Sequence, residues 1–534
     1  MKNWWKSGDP WIWLTAASVS VSILVVVGLL FLIAVNGLGH FWPKQVIEAD
    51  YESYHIIGEI YDQKTVKLDS DRVTRYLLKT GNRDLFGSDF RWLIADQFKN
   101  KQYPKDLMVI ERREWGNFYG YLVAVKQKSK VVAEGKAAWK ELQKRLQRTL
   151  KIYGWIREIE KSKIGSINAD LEDLRLDKRR LELANDNDPA KLAAIETKKA
   201  ALLARSEKLN KKLRQLYFAM NRDSLTAKVM DGRITEIPLA KIVHAYRPNA
   251  MSVMDKIQFY GMKVWEFLSD DPREANTEGG IFPAIFGTVI MVILMSIIVT
   301  PIGVIAAIYL HEYAKQNWLT TTIRIAVNNL AGVPSIVYGV FGLGFFVYFV
   351  GSNIDEWFFS AALPAPTFGT PGILWASLTL ALLTVPVVIV STEEGLSRIP
   401  RSIREGSLAL GATKAETLWR TVLPMASPAM MTGLILAISR AAGEVAPLML
   451  VGVVKLAPSL AVDAQAPFLH LDRQFMHLGF HIYDVGFQSP NVEAGRPLVY
   501  ATAFLLVAVI IILNLAAIWI RNNLREKYKA LETA

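Results

Sequence analysis

The chain has 534 residues, a formal charge of +12, 51% hydrophobic residues and no cysteine. The missing cysteine excludes disulfides, thiolate metal sites and cysteine nucleophiles. Charge is segregated into one long polar stretch and the short segments between uncharged runs, which points to a membrane protein with a polar domain and accounts for the basic excess without nucleic acid.

Lys2 and Lys6 precede residues 11–39, which carry no charge. About 20 apolar residues cross a bilayer core, so this run spans it. It is longer than a signal-peptide core and no small-x-small site follows it convincingly. It reads as an uncleaved first span with a cytoplasmic N-terminus.

Residues 40–280 change character. Between 45 and 130, short segments such as HIIGEIYDQKTVKL, VTRYLLKT, DFRWLIADQF, KDLMVIERREW and FYGYLVAVKQK are β-branched and aromatic. Gly81-Asn82 and Gly116-Asn117 separate them, which predicts a β-rich domain. From about 133 to 220 the period becomes helical. Ile164, Ile167, Leu171 and Leu174 step by 3, 4 and 3, and Ile195, Leu202, Leu209 and Leu216 repeat every seven. The turn cluster ANDNDPAK (184–191) divides the two runs, giving an antiparallel, coiled-coil-like hairpin. Residues 226–246 read as two strands around an Asp231-Gly232 turn, so the hairpin is inserted into the β-domain. Residues 254–270 form an amphipathic helix expected at the membrane surface, where it meets lipid.

Further spans are expected at 281–310, 328–352, 373–392, 425–450 and 497–520, making six. Loop 311–325 contains Lys315 and Arg324, loop 393–424 contains Arg398, Arg401, Arg404, Lys414 and Arg420, and the tail 521–534 contains Arg521, Arg525, Lys527 and Lys529. Loop 353–372 has Asp355 and Glu356 but no Lys or Arg. The positive-inside rule then puts both termini in the cytoplasm and the 40–280 domain outside it.

No GxxxxGK[ST] phosphate loop, HExxH or metal-ligand cluster is present, so the chain shows no means of hydrolysing ATP. Two constellations remain. Glu405–Pro424, EGSLALGATKAETLWRTVLP, reads as two short helices with a bend near Gly411, with Leu408, Leu410, Leu418 and Val422 alternating with Lys414, Glu416 and Arg420. Such a stretch is either an ordinary loop, with Glu405 a helix cap and Pro424 a helix start, or a rigid elbow that docks another protein. Arg440 and Glu444 lie four apart inside a span, hence on one helix face. They either form an intrahelical packing pair or line a pathway. Asn328 and Asn329, opening the third span, read as helix caps in preference to pathway hydrogen-bond donors. Glu393 and Glu394 are surface residues or elbow partners rather than ligands.

The elbow resembles the coupling loop of ABC-importer permeases, with Glu405, Gly411, Leu423 and Pro424 on that loop's spacing. Gly406 and Ser407 replace its two alanines, and Thr421 its usual isoleucine. The segments 287–314, 328–344 and 423–450 are similar to phosphate-importer permeases of the PstA type. The resemblance covers about 280–520 and the first span, and leaves 40–280 outside. It implies an α-helical integral membrane protein of six transmembrane helices, in the bacterial inner membrane, with an α+β extracytoplasmic insertion. It implies no cofactor in this chain, with ATP and Mg held by a PstB-like ATPase dimer that receives the elbow. The other implied partners are a PstC-like permease and a PstS-like phosphate-binding protein. Arg440 would offer guanidinium donors to a passing oxyanion, and Glu444 would hold it between passages. A permease for sulfate or molybdate stays open, as does a membrane-anchored adaptor or sensor built on 40–280.

Overall fold

The computed structural model describes residues 8–52, 54–68, 71–273, 276–489 and 492–532. The cations Lys2 and Lys6 lie outside them. The chain divides into two compact units, Phe41–Gly280 and the remainder, Met1–His40 with Ile281–Ala534.

In the Phe41–Gly280 unit, strands β1 (Val46–Tyr51), β2 (Tyr54–Leu68), β3 (Asp71–Lys79), β4 (Phe90–Ile94) and β5 (Phe98–Gln102) form an antiparallel sheet ordered β4-β3-β2-β1-β5. A second sheet takes β6 (Leu107–Arg112), β7 (Asn117–Gln127), β8 (Lys130–Glu134), β9 (Asp223–Lys228), β10 (Ile234–Pro238) and β11 (Ile242–Tyr246), ordered β10-β9-β7-β6-β11 with β8 on β7. Side chains alternate across a strand. Ile56 and Leu78 therefore pack in one cluster, while Ile57 meets Leu107, Val109 and Tyr119 between the sheets. Met108 and Ile110 face the other way, onto Ala138, Leu142 and Leu146 of the first hairpin helix. This explains why β6 is buried throughout and reads as an unbroken apolar run.

Segment 226–246, expected as two strands, contributes to three. Gly232 (φ +84°) makes the β9–β10 turn, and β11 crosses to the far edge beside β6. The hairpin does interrupt the sheet, between β8 and β9. Its outgoing arm is Lys136–Arg157, a π-helical stretch Glu158–Ile164, and Gly165–Leu183. Asp188 caps the return helix Pro189–Met220 by accepting from Ala190 N–H, with Pro189 in the first turn. Lys178–Glu196 at 3.0 Å and Tyr217–Glu160 at 2.6 Å tie the arms antiparallel. Of the expected seam, Ile167 is buried and the rest are half-covered.

The helix Val253–Ser269 opens with a capping box from Ser252 and Asp255. Its aromatic residues do not share a face. Phe259 stacks on Tyr246 and Phe267 on Phe41, whereas Trp265 is exposed together with Val253 and Ile257.

Among the described residues of the second unit, six helices are long and apolar enough to cross a membrane: Asp9–Gly39, Phe282–Tyr313, Ser335–Phe358, Ile373–Ser397, Lys414–Gly443 and Gly495–Glu526. The first lies along the sixth, with Gly37 against the Tyr500–Ala501 backbone, where any larger residue would collide. The third starts at Ser335, not 328. Asn328 and Asn329 instead end a separate helix, Trp318–Leu330, whose cap is Asn317. Pro334 separates the two helices, because the residue before a proline avoids the helical region. Asp355, read as an outward-facing loop charge, is buried. Its carboxylate accepts the N–H groups of Phe368 (2.8 Å) and Gly369 (2.7 Å) and folds the 359–372 loop back onto the third span.

Candidate functional site: the elbow and the intramembrane pair

The elbow begins with the helix Arg401–Ala409. Its end is a complete Schellman motif: Gly411 N–H donates to Leu408 O (3.0 Å) and Ala412 N–H to Ser407 O (3.3 Å), with Gly411 at φ +91°. The next helix starts at once from a capping box. Thr413 N–H donates to Glu416 Oε2 at 2.9 Å, and Thr413 Oγ1 accepts from Glu416 N–H at 3.2 Å. A hydroxyl pair, Ser407 with Thr417 at 2.9 Å, joins the two legs beyond the bend. The Schellman bonds and the capping box thus satisfy several of the backbone groups that helix ends leave open, and with the hydroxyl pair they fix the shape of the bend.

The apolar residues divide by position. Leu418 and Val422 are buried with Leu396, Ile399 and Ala426, against the end of the fourth span. Leu408 and Leu410 at the tip, and Trp419, are exposed, Leu410 by 91%. Large apolar groups exposed at the bend are the kind of surface that a docking partner would cover.

Glu405 is exposed in the middle of its helix and is not a cap. Pro424 stands in the first turn of the α-helical stretch Leu423–Gly443, as a helix start, although the apolar run Lys414–Gly443 continues through it and the turn before it, Leu418–Val422, is π-helical. A proline lacks the N–H and crowds the carbonyl one turn back, and a wider turn relieves both. Leu423 is half-buried beside it and borders an open groove of about 600 Å³ with Ile305, Tyr309, Tyr313 and Trp419.

A charged network not visible in sequence surrounds the legs. Arg404 lies 3.1 Å from Glu312, and Lys414 Nζ donates to the Glu312 main-chain carbonyl. Glu393 lies 3.4 Å from Arg324, while Glu394 is mostly exposed and reaches Arg398 at 3.8 Å.

The fifth span ends at Gly443, so Glu444 is not on the helix with Arg440. It is the capping residue, in extended conformation, at the start of a break before the short helix Leu448–Val451. The two side chains still meet, Arg440 Nε and Glu444 Oε1 being 3.6 Å apart. Gly433 packs on Val388 and Ser391, and Gly395 on Ala426 and Ala429. The fourth and fifth spans therefore run antiparallel, with Arg440 level with the stretch around Leu383, deep within the fourth span. Next to it, Ser439 and Asn514 of the sixth span exchange hydrogen bonds at 2.8–3.0 Å. Asn514 is a polar residue in an apolar run, the one signal from which this bond was predictable.

The family described as binding-protein-dependent transport system inner membrane component matches residues 299–529. The phosphate transport system permease protein PstA of Yersinia pestis is 32% identical over 257 residues, covering 48% of this chain and 77% of that protein. The chain belongs to this family of ABC-importer permeases.

A probable ABC transporter permease protein, YqgI of Bacillus subtilis, is 29% identical over 273 residues, covering 50% of this permease and 86% of that protein. Among solved structures, an inward-facing MetNI methionine ABC transporter aligns at a TM-score of 0.34 and 19% identity, covering 45% of this chain and 94% of that one. As a family member the permease is a multi-pass inner-membrane component and not an enzyme, and it works with a second permease, an ATPase and a binding protein. The matched segment contains the whole elbow, Arg440 and Glu444. The Phe41–Gly280 unit lies outside it.

Proposed function

We propose that this permease forms half of the pathway of a phosphate importer and that Glu405–Pro424 couples it to a PstB-like ATPase dimer, which holds ATP and Mg. The other partners are a PstC-like permease and a PstS-like phosphate-binding protein. Both termini are cytoplasmic and the 40–280 domain is on the opposite side. The observation that carries the reading is Arg440, a guanidinium deep among the spans beside a broken helix, in a chain related to proteins named as phosphate permeases. A charge in the membrane interior is costly unless it pairs or serves a passing ion. Here Glu444 neutralises it through a 3.6 Å contact, loose enough for an oxyanion to displace. Weak retention is what transport requires.

The test is labelled phosphate uptake in permease-deficient cells carrying this chain and its partners, with sulfate and molybdate as competitors. Uptake indifferent to sulfate and molybdate, and reduced on the order of tenfold or more by Arg440→Ala, is expected. Competition by sulfate or molybdate would reassign the anion. No uptake despite correct assembly would favour an adaptor built on 40–280.

A further inference from the structure

Glu312 ends the second span within the π-helical turn Tyr309–Tyr313. Its carboxylate lies 3.1 Å from Arg404 of the first leg, with only 11% and 17% of the two side chains exposed. Arg404 also donates to Leu396 O (2.7 Å) and Ile399 O (2.9 Å), carbonyls at and just beyond the end of the fourth span. On the other side of the bend, Lys414 donates to the Glu312 carbonyl and stands 4.5 Å over the Tyr313 ring. His311 Nδ1 lies 3.0 Å from the same carboxylate. Both legs of the elbow thus converge on one residue of a span that is not their neighbour in sequence.

We propose that Glu312 is a positioning residue that clamps the two legs to the second span, so that a push on the elbow moves the second and fourth spans together. Exposed ion pairs contribute little. This one is shielded, and removing either member leaves a largely buried charge without its partner. The apolar cluster of Leu418 and Val422 holds chiefly the second leg, with Ile403 of the first leg and Ile308 of the second span only partly buried against it. Without the clamp, the first leg loses its charged tie to the second span and keeps only Ile403 at the cluster edge, the Arg404 bonds to the fourth span and the Ser407–Thr417 contact, so less of the motion at the tip reaches the second span. This inference rests on the coupling role of the elbow proposed above.

The test uses the complete transporter in proteoliposomes, with Glu312→Gln, Arg404→Gln and the double variant. ATP hydrolysis stimulated by the binding protein should stay within about twofold of the parent, while phosphate moved per ATP falls at least about fivefold in each single variant. The double variant should be no worse than either single one, because one joint is lost only once. Glu312→Asp, which keeps the charge, should restore most of the ratio. Hydrolysis and uptake falling in proportion, or additive singles, would reduce Glu312 to a fold-stabilising residue and overturn the proposal. A second readout needs no substrate. The chain has no native cysteine, so spin labels on Leu408→Cys and Ile305→Cys report the distance from elbow tip to second span. ATP binding should leave it unchanged in the parent and shift it in Glu312→Gln. If the labels behave so but the parent moves no phosphate, the clamp stands and the substrate reading fails. If the parent moves phosphate but the label distance shifts equally in both, the clamp fails.

Discussion

Gly411 holds φ at +91°, yet a methyl group placed there would meet nothing within 4 Å among the described residues. The position is constrained by backbone conformation and not by space. A Cβ in the left-handed region costs about 1–2 kcal/mol, least for asparagine, whose side chain satisfies the local backbone. Gly411→Asn should therefore leave uptake and ATP hydrolysis near the parent, whereas Gly411→Val should lower uptake per ATP hydrolysed. Equal losses in both, measured in the same proteoliposomes, would mean that bulk at the tip obstructs docking and that the bend's shape is not at issue. Gly411 was legible because glycine punctuation is a local signal. Glu444 was legible only in part: its spacing from Arg440 predicted a shared helix face, but the helix stops one residue too soon. Glu312 and Arg404 were illegible as a pair, since no periodicity links loops that follow different spans.

The helix Val253–Ser269 is fastened to the sheets by buried charge, which shows what element-scale patterning misses. Glu111 of β6, His244 of β11 and Glu266 of the helix bring ligand atoms within 4.8 Å of one another, in the manner of a metal site. Lys263 Nζ already sits 2.6 Å from both carboxylates, and Arg273 reaches Glu266 at 2.8 Å, so an internal ammonium fills the place of a cation. Burial pushes both carboxyls up, but Lys263 and His244 outweigh it, joined at Glu266 by Arg273, and hold both below the usual carboxylate range. Burial pulls Lys263 down, and the two carboxylates more than reverse it. The depressed carboxylates contribute stability above their ordinary pKa of 4.5, and lose it as pH falls through their lower folded values. The raised ammonium contributes fully below 10.5 and loses its contribution as pH climbs through its higher folded value. In Lys263→Met two carboxylates face each other in a dry site, a loss of about 3–5 kcal/mol at neutral pH. Their pKa values then rise, so the variant recovers part of the deficit toward pH 5. Protease protection of 41–280 in membrane vesicles should show a gap between parent and variant that narrows in acid; a pH-independent gap would point to lost packing alone. The sequence displayed the strand segments and the inserted hairpin because both rest on short-range periods. It concealed β11's move to the far edge and the charge cluster that this move assembles, because both are products of tertiary pairing.

At the scale of the whole chain, alternation of spans makes a statement about sides that the permease unit already supports internally. Loop 314–334 and the elbow follow the second and fourth spans, so they must share a side, and Arg324–Glu393 and Arg404–Glu312 join them there. Segments 359–372 and 444–477 follow the third and fifth spans and must share the other. Gly372 N–H donates to Val451 O, and Ile373 N–H to Arg473 O, at that end. On the topology proposed above, three spans lie in the sequence between the tip of the helical hairpin and the tip of the elbow, which predicts opposite sides of the membrane for them, with the Lys and Arg of the elbow predicting the cytoplasmic side for it. The cysteine-free chain makes this testable with single substitutions at exposed turns, Asn187→Cys in the hairpin and Leu410→Cys in the elbow. A membrane-impermeant maleimide added to spheroplasts should label position 187 at once and position 410 only after the membrane is breached. Inverted vesicles should reverse the order. Labelling of both positions from one side would mean that one of the three helices between them, Phe282–Tyr313, Ser335–Phe358 or Ile373–Ser397, fails to cross, because the first span precedes both positions and cannot change their relation.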